Sequence, residues 1–455
     1  MADLSVAHRA ALAQVIENVP DRTLRQLALA VGGMPGERAR TLEAMLTEAT
    51  LDRARRARGM AALAPMFRAR PDEVGSLRFP PQVLPRLWKI VAAGQTDLLA
   101  YLDPPRDYQD DSHRVATVCT RLFAAAAAAV RDQADAVWPS SLGDGGLREA
   151  RLDALAAACD LGGLAHRALP SLQTWIGRPN PDQVAELRLL LRDATAISTD
   201  GTQQLLEILF AHIADAPLIL RLVANSSKAA GHGSFLSGSE LAIFVDRLVD
   251  AAEVRAARIG KYRAGEPVEP LRADLQWISD LLSESEGTLP IQGDTTWGQR
   301  IRQLRLGVSA ALGSQLGRVG KAVDKALPMA RIQTAGRMTR EIPQLGVSID
   351  PATRSAAAAA LDILKATRGL SGPFGCDAQR QALIVDIPAQ LIAYADLAIE
   401  EINAGVVADE VLAGERVMMA AEFLERIELV ADARAVWRRV AVSGVPVHGA
   451  SPRAA

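Results

Sequence analysis

The sequence predicts an all-α protein, and three observations lead to that class. Apolar residues recur at three- and four-residue spacing along almost the whole chain, the pattern of helices that bury one face. Alanine runs in blocks such as "FAAAAAAVR" and "SAAAAALDILK" while aromatic residues make up only 4%, and alanine favours helix over pleated sheet. Turn dipeptides between alternating β-branched runs are missing, and strand-like stretches such as "QALIVDIP" are short and isolated.

The elements follow in order. Residues 4–18 form the first expected helix and "DRTLRQLALAV" (21–31) the second. A long third helix is expected over residues 36–68, where "TLEAML" sets apolar side chains at helical spacing. "RFPPQVLP" (78–85) reads as a rigid connector, because each proline fixes φ and removes a donor. "RLWKIVAAGQTDLLAYL" (86–102), the proline break "DPPRDYQDD" and a long helix from Ser112 to Val137 come next. The glycine- and serine-rich "WPSSLGDGGLRE" (138–149) marks a weak boundary.

From 147 to 285 the pattern is helix, short turn, helix, with Asn180 before Pro181 and then Asp200 or Thr202 placed as N-caps. Those helices are expected to span about 9–17 residues. No fixed period of about 34 or 40 residues recurs, so a regular solenoid has no support. Residues 377–405 and 407–442 are two long periodic segments joined near Gly405, expected to form an antiparallel helical hairpin.

The expected architecture is an irregular array of roughly fifteen helices in α-hairpins, solenoid-like or multi-bundle, ending in a long C-terminal antiparallel helical hairpin. Five regions result: an N-terminal helical region 1–138, a helical-hairpin region 147–290, a basic amphipathic connecting segment 291–345, the C-terminal hairpin region 346–441 and a disordered tail 442–455.

Composition excludes several functions. About half of the 455 residues are hydrophobic, enough to build sizeable cores, and the net charge of -2 argues against polyanion binding by the whole surface. Only six of the 51 basic residues are lysine, and this arginine dominance together with the alanine suggests a GC-rich bacterial genome. Cys119, Cys159 and Cys376 stand far apart without CxxC or CxxH spacing, so neither a thiolate metal site nor a disulfide framework is implied and a reducing cytoplasm is expected. The first residues lack a basic region followed by an apolar core, and no apolar run approaches the roughly 18 residues of a membrane span.

No catalytic, cofactor or metal motif stands in the residues. His212 and Asp215 lie one helical turn apart but lack a third ligand, and His8, His113, His166 and His448 are scattered. The loop "SSKAAGHGSFLSGSE" (226–240) offers Lys228, His232 and Ser234 as a ligand loop, with anion binding at a helix N-terminus as its chemistry. Its spacing matches none of GxGxxG, GxxxxGK[ST] or GxSxG, and Ser237 to Glu240 reads as a capping box.

The segment 297–340 stands out. On a helical wheel Ile301, Leu304, Val308, Leu312, Leu316, Val319, Val323 and Leu327 share one arc, flanked by Arg300, Arg318, Lys321 and Lys325, with Gly313, Gly317 and Gly320 in another sector. Nine cations, including Arg302, Arg331, Arg337 and Arg340, face Asp324 alone, a local net charge of +8, while residues 386–436 carry a net charge of -8. The two stretches are expected to neutralise each other, and the glycine sector to admit a second backbone. Arg300, Arg302, Arg318, Lys321, Lys325, Arg331, Arg337 and Arg340 form the candidate interaction surface.

Three functions fit these observations. A non-catalytic helical scaffold or adaptor, binding a protein partner or a second copy, is favoured. An enzyme with its ligand site at 226–240 is the alternative, and a peripheral binder of anionic lipid or nucleic acid through the basic helix 297–340 is the third. Nucleic acid is disfavoured, because no basic platform interleaved with aromatic residues is present.

Overall fold

The computed structural model describes residues 5–104, 112–143, 145–226, 241–288, 295–333 and 339–443. The protein is all-α: it is 78% helical, and eighteen α-helices stand beside a single two-stranded sheet among the described residues. These residues divide into two compact units, one reaching Ser226 and including Leu241–Arg247, the other starting at Leu248.

The first unit opens with α1 (Val6–Asn18), α2 (Asp21–Val31) and α3 (Glu37–Gly59). Ile16, Leu24, Val31 and Leu46 form a small core between them. The expected third helix stops at Gly59, where a Cβ would meet Leu102 and the Trp88 ring at 3.0–3.2 Å, and the chain continues as turns. Next come α4 (Val83–Gly94), α5 (Thr96–Leu99), α6 (Ser112–Asp132) and α7 (Ala134–Val137). The helix expected from Ser112 to Val137 is thus broken at Gln133.

The remaining helices of this unit are α8 (Arg148–Ile176), α9 (Pro181–Ile197), α10 (Gly201–His212) and α11 (Ile219–Ser226). At 29 residues α8 far exceeds the length expected here, and it holds Pro170 within its span. It packs along α6, and glycine makes the crossing close: a Cβ on Gly162 would sit 2.4 Å from the Phe123 ring, and one on Gly163 would sit 3.0 Å from Thr120.

Asn180 caps α9 as the sequence predicts, and Gln183 completes a capping box. The device is not repeated at α10: Asp200 makes no side-chain cap bond. Gly201 instead lies so close to the end of α9 that a Cβ would fall 2.0 Å from the Ala194 carbonyl oxygen.

Buried charge in this unit closes a helix end. Arg70 grips Asp72 through two bonds of 2.9 and 2.6 Å and donates to the carbonyls of Phe210 and Ile213 at 2.7 and 2.9 Å, covering the C-terminus of α10. His212, considered above with Asp215, donates Nε2–H to the Ala62 carbonyl at 2.8 Å, a structural bond between segments distant in sequence.

The helix α12 (Ala242–Lys261) carries the division between the units. The second unit continues with α13 (Val268–Thr288), α14 (Thr296–Ala326), strands β1 (Met329–Gln333) and β2 (Thr339–Pro343), α15 (Pro351–Ala366), α16 (Asp377–Asn403), α17 (Glu410–Arg426) and α18 (Val430–Val442). The strands pair antiparallel with Met329 opposite Pro343 and Arg331 opposite Glu341. They correct the expectation of a purely helical basic segment.

A second correction concerns the C-terminal hairpin. Its second limb is two helices, α17 and α18, separated at a turn where Glu428 takes φ 70°. That left-handed backbone cannot continue an α-helix. Residues 444–455, most of the expected tail, lie outside the described residues, and Val442 ends α18.

Two outcomes test this packing. Gly162→Ala should destabilise the first unit by about 1–3 kcal/mol through overpacking against Phe123, read from urea unfolding. Burial pushes the imidazoles of His166 and His212 below their ordinary value of 6.5. As pH falls through 6.5 the unfolded chain takes up protons that the folded unit refuses, so stability present above that pH is lost in acid. The urea midpoint should drop between about pH 7.5 and 5.5, and His212→Gln should flatten the drop.

Candidate interaction face

Thr295 opens α14 as its N-cap, accepting a hydrogen bond from the Gly298 N–H at 3.1 Å. Pro328 follows its last turn and cannot extend it. Between these ends Leu304, Val308, Leu312, Leu316, Val319 and Val323 are all buried, as the wheel requires. The arc packs chiefly against α15, and α16 lies along one side of it.

Arg416 seals the C-terminus of α14. It is only 2% exposed, and it donates to the Ala326 carbonyl at 3.1 Å and the Val347 carbonyl at 2.7 Å. A cation at the negative end of a helix is favoured by the helix dipole, and two carbonyl acceptors compensate part of its lost hydration.

The expected cations divide into two groups. Arg300 pairs with Glu253 at 2.8 Å and Asp250 at 2.6 Å, which raise the pKa of its guanidinium. Arg331 bridges to Glu341 across the hairpin at 2.8 Å, and Arg340 reaches Glu401 at 3.2 Å on α16. Arg302 is exposed on α14, and Arg305, off the expected surface, pairs with Glu286. Arg337, like Lys228, His232 and Ser234 of the expected ligand loop, lies outside the described residues.

Arg318 and Lys321 are exposed and make no ion pair among the described residues. Lys325 is exposed beside Asp350, the N-cap of α15, whose carboxylate pKa is lowered first by its bonds to Thr353 and Ala352 and only lastly by Lys325.

The expected mutual neutralisation of the basic segment and the acidic C-terminal stretch is seen, among the described residues, in the ion pairs of Arg340. Three of the acids pair instead with α15, the turn after it and α18: Glu428 with Lys365 at 3.1 Å and Arg368 at 3.2 Å, Glu422 with Arg354, and Asp396 with Arg439. Lys365 and Arg368 hold the Glu428 carboxylate below the usual range.

The glycine sector is also corrected. No second backbone enters it among the described residues: the Gln379 side chain of α16 lies 3.5 Å from the position of a Cβ on Gly313 or Gly317, and Gly320 looks onto open space, as does Gly307 elsewhere on the helix. Gln379 donates to the Gly313 carbonyl at 3.1 Å, and Gln390 donates to Asp324 at 2.6 Å. These two glutamines stitch α16 to α14.

The sequence reading missed the other half of this face. In α16, Ala382, Val385, Ala389 and Ala393 are exposed at three- and four-residue spacing, Val385 by 61%. The helix has an 18-residue window of mean hydropathy 1.6, of which 33% is buried. It is the one described helix of that length and apolarity, and it packs on α14, β2 and α17. The signal was available, because α16 is apolar around most of its circumference.

Two glutamines thus join α14 and α16; α16 exposes small and apolar side chains, and α14 exposes Arg318 and Lys321, which make no ion pair among the described residues. No group of three or more metal-competent side chains occurs among the described residues. Burial pushes the Cys119 thiol up to about 12 and the Cys159 thiol upward as well, which removes both as nucleophiles. Comparison with protein-family models, characterised proteins and solved structures found no match.

Glycine tests whether this face is shaped by the fold. Gly320→Ala and Gly307→Ala meet no neighbour within 4 Å, so each should stabilise the second unit by about 0.8–1 kcal/mol, measured by thermal or urea unfolding.

Proposed function

We propose that the protein is a non-catalytic helical scaffold that captures another protein on the face formed by α14 and α16. The observations that carry this reading are the exposed apolar stripe of α16, a helix that packs on α14, and Arg318 and Lys321 of α14, two exposed cations with no ion pair among the described residues. Exposed apolar stripes rimmed by polar groups mark interaction surfaces. The partner that fits is an amphipathic helix whose apolar side lies on Val385 and the alanines and whose acidic flank meets the cations. Open glycines let such a helix approach closely. We place this function in a reducing cytoplasm, a setting that suits three buried, unbridged cysteines.

The test begins with affinity capture from the native cell, comparing wild type with the triple variant Arg318→Glu, Lys321→Glu, Lys325→Glu. The recovered partner is then titrated into both purified proteins. The proposal requires at least tenfold weaker binding by the variant, with unfolding temperatures unchanged because these side chains are exposed. Equal affinities overturn it. Two controls decide against it independently: salt-sensitive sedimentation with phosphatidylglycerol vesicles assigns the face to a membrane, and concentration-dependent dimerisation lost in the variant assigns it to a second copy.

A further inference from the structure

A groove of about 1140 Å³ on the second unit is lined by side chains already joined in ion pairs, such as Arg354 with Glu422 and Asp362 with Arg426. A second groove, in the first unit, has a different character. It measures about 1270 Å³ and lies between α3, α6 and α8, with Ile197 at the end of α9 contributing to its wall. That volume is ample for a small organic ligand.

Its charge is one-sided. Arg58, Arg121, Arg167, His113 and His166 line it, and Asp160 is the carboxylate among the lining residues. Asp160 is taken by Arg131, which donates to both of its oxygens. Arg121 sits 3.5 Å from Asp97, while Arg167 is exposed and makes no ion pair among the described residues. The groove therefore presents a positive field to whatever enters.

The wall of α8 adds polar groups without partners. His166 Nδ1 is buried and has no hydrogen-bond partner. Pro170, four residues on, has no N–H, so the His166 carbonyl loses the donor that an unbroken helix would supply. The imidazole nitrogen thus lies uncommitted among the described residues, where burial without a partner is costly. Burial also keeps the imidazole neutral near pH 7 by lowering its pKa. The rest of the lining is mostly apolar, with Ala61, Ala116, Ala124, Leu164 and Leu169 beside Ile197, and the hydroxyls of Thr117 and Thr120 are spent on the carbonyls of His113 and Ala116.

We propose that this groove binds a single-chain anionic amphiphile, its charged head held by Arg167 and His166 and its aliphatic chain laid over the alanines toward Ile197. A free fatty acid and a lysophosphatidate share this chemistry. The inference is independent of the α14 and α16 face.

Isothermal titration of the full chain with decanoate, with a lysophosphatidate and with the uncharged decyl maltoside, each below its micelle concentration, tests it. At least one anion should bind at one site per chain, at least tenfold tighter than decyl maltoside. The tighter of the two anions identifies the head group. Arg167→Glu should weaken that binding at least tenfold, and Ala124→Trp, which fills the groove from an exposed position, should abolish it, both with unchanged thermal unfolding. Absence of heat with both anions, equal binding of the uncharged amphiphile, or full affinity in both variants would overturn the proposal.

Discussion

The second unit depends on burial of one side of α14. Five glycines fall between Trp297 and Leu327, and each weakens a helix by about 0.8–1 kcal/mol relative to alanine. Six buried aliphatic side chains oppose that loss, each contributing about 1.5–3 kcal/mol on leaving water. Burial wins, but only while α15 covers the arc. Pro328 and Arg416 then fix where the helix ends, and the chain turns directly into β1. The positions of α15, α16 and the hairpin all follow from that one covered stripe.

Charge plays a secondary part. Most ion pairs around α14 are solvent-exposed, and such pairs contribute about 0–1 kcal/mol each. Arg300, Arg305, Arg331 and Arg340 are matched one by one to local acids. What distinguishes Arg318 and Lys321 is that the fold leaves them unmatched among the described residues, while Gly307 and Gly320 of the same helix look onto open space. A stable fold does not need either feature, and a docking surface uses both.

Much of the helical framework was legible because amphipathic periodicity and capping are local. The Asn180 cap, the buried arc of α14 and the connection near Gly405 were all written in adjacent residues. The errors arose where tertiary contacts decide. Gly59 and Gly201 look like ordinary glycines until Trp88 and the Ala194 carbonyl come against them. The helix α8 runs on through Pro170, although proline removes one of its backbone donors. Two strands of five residues, rich in arginine and mostly exposed, carry too little pattern to be distinguished from a helix extension.

The candidate face was half legible. Its cations were visible as a cluster, but their partners were not: Glu253 precedes Arg300 by 47 residues. The α16 stripe was missed for the opposite reason: its apolar pattern stood in the sequence, but a helix apolar on most sides ordinarily lies in a core.

Hydrogen exchange read by mass spectrometry tests the central role of α14 most directly, because backbone amides report how firmly each helix is held. Amides from Leu304 to Val323 should exchange among the slowest in the second unit, far more slowly than those of β1 and β2. Exchange of that stretch as fast as the strands would contradict the role assigned to α14, and with it the face built on its outer side.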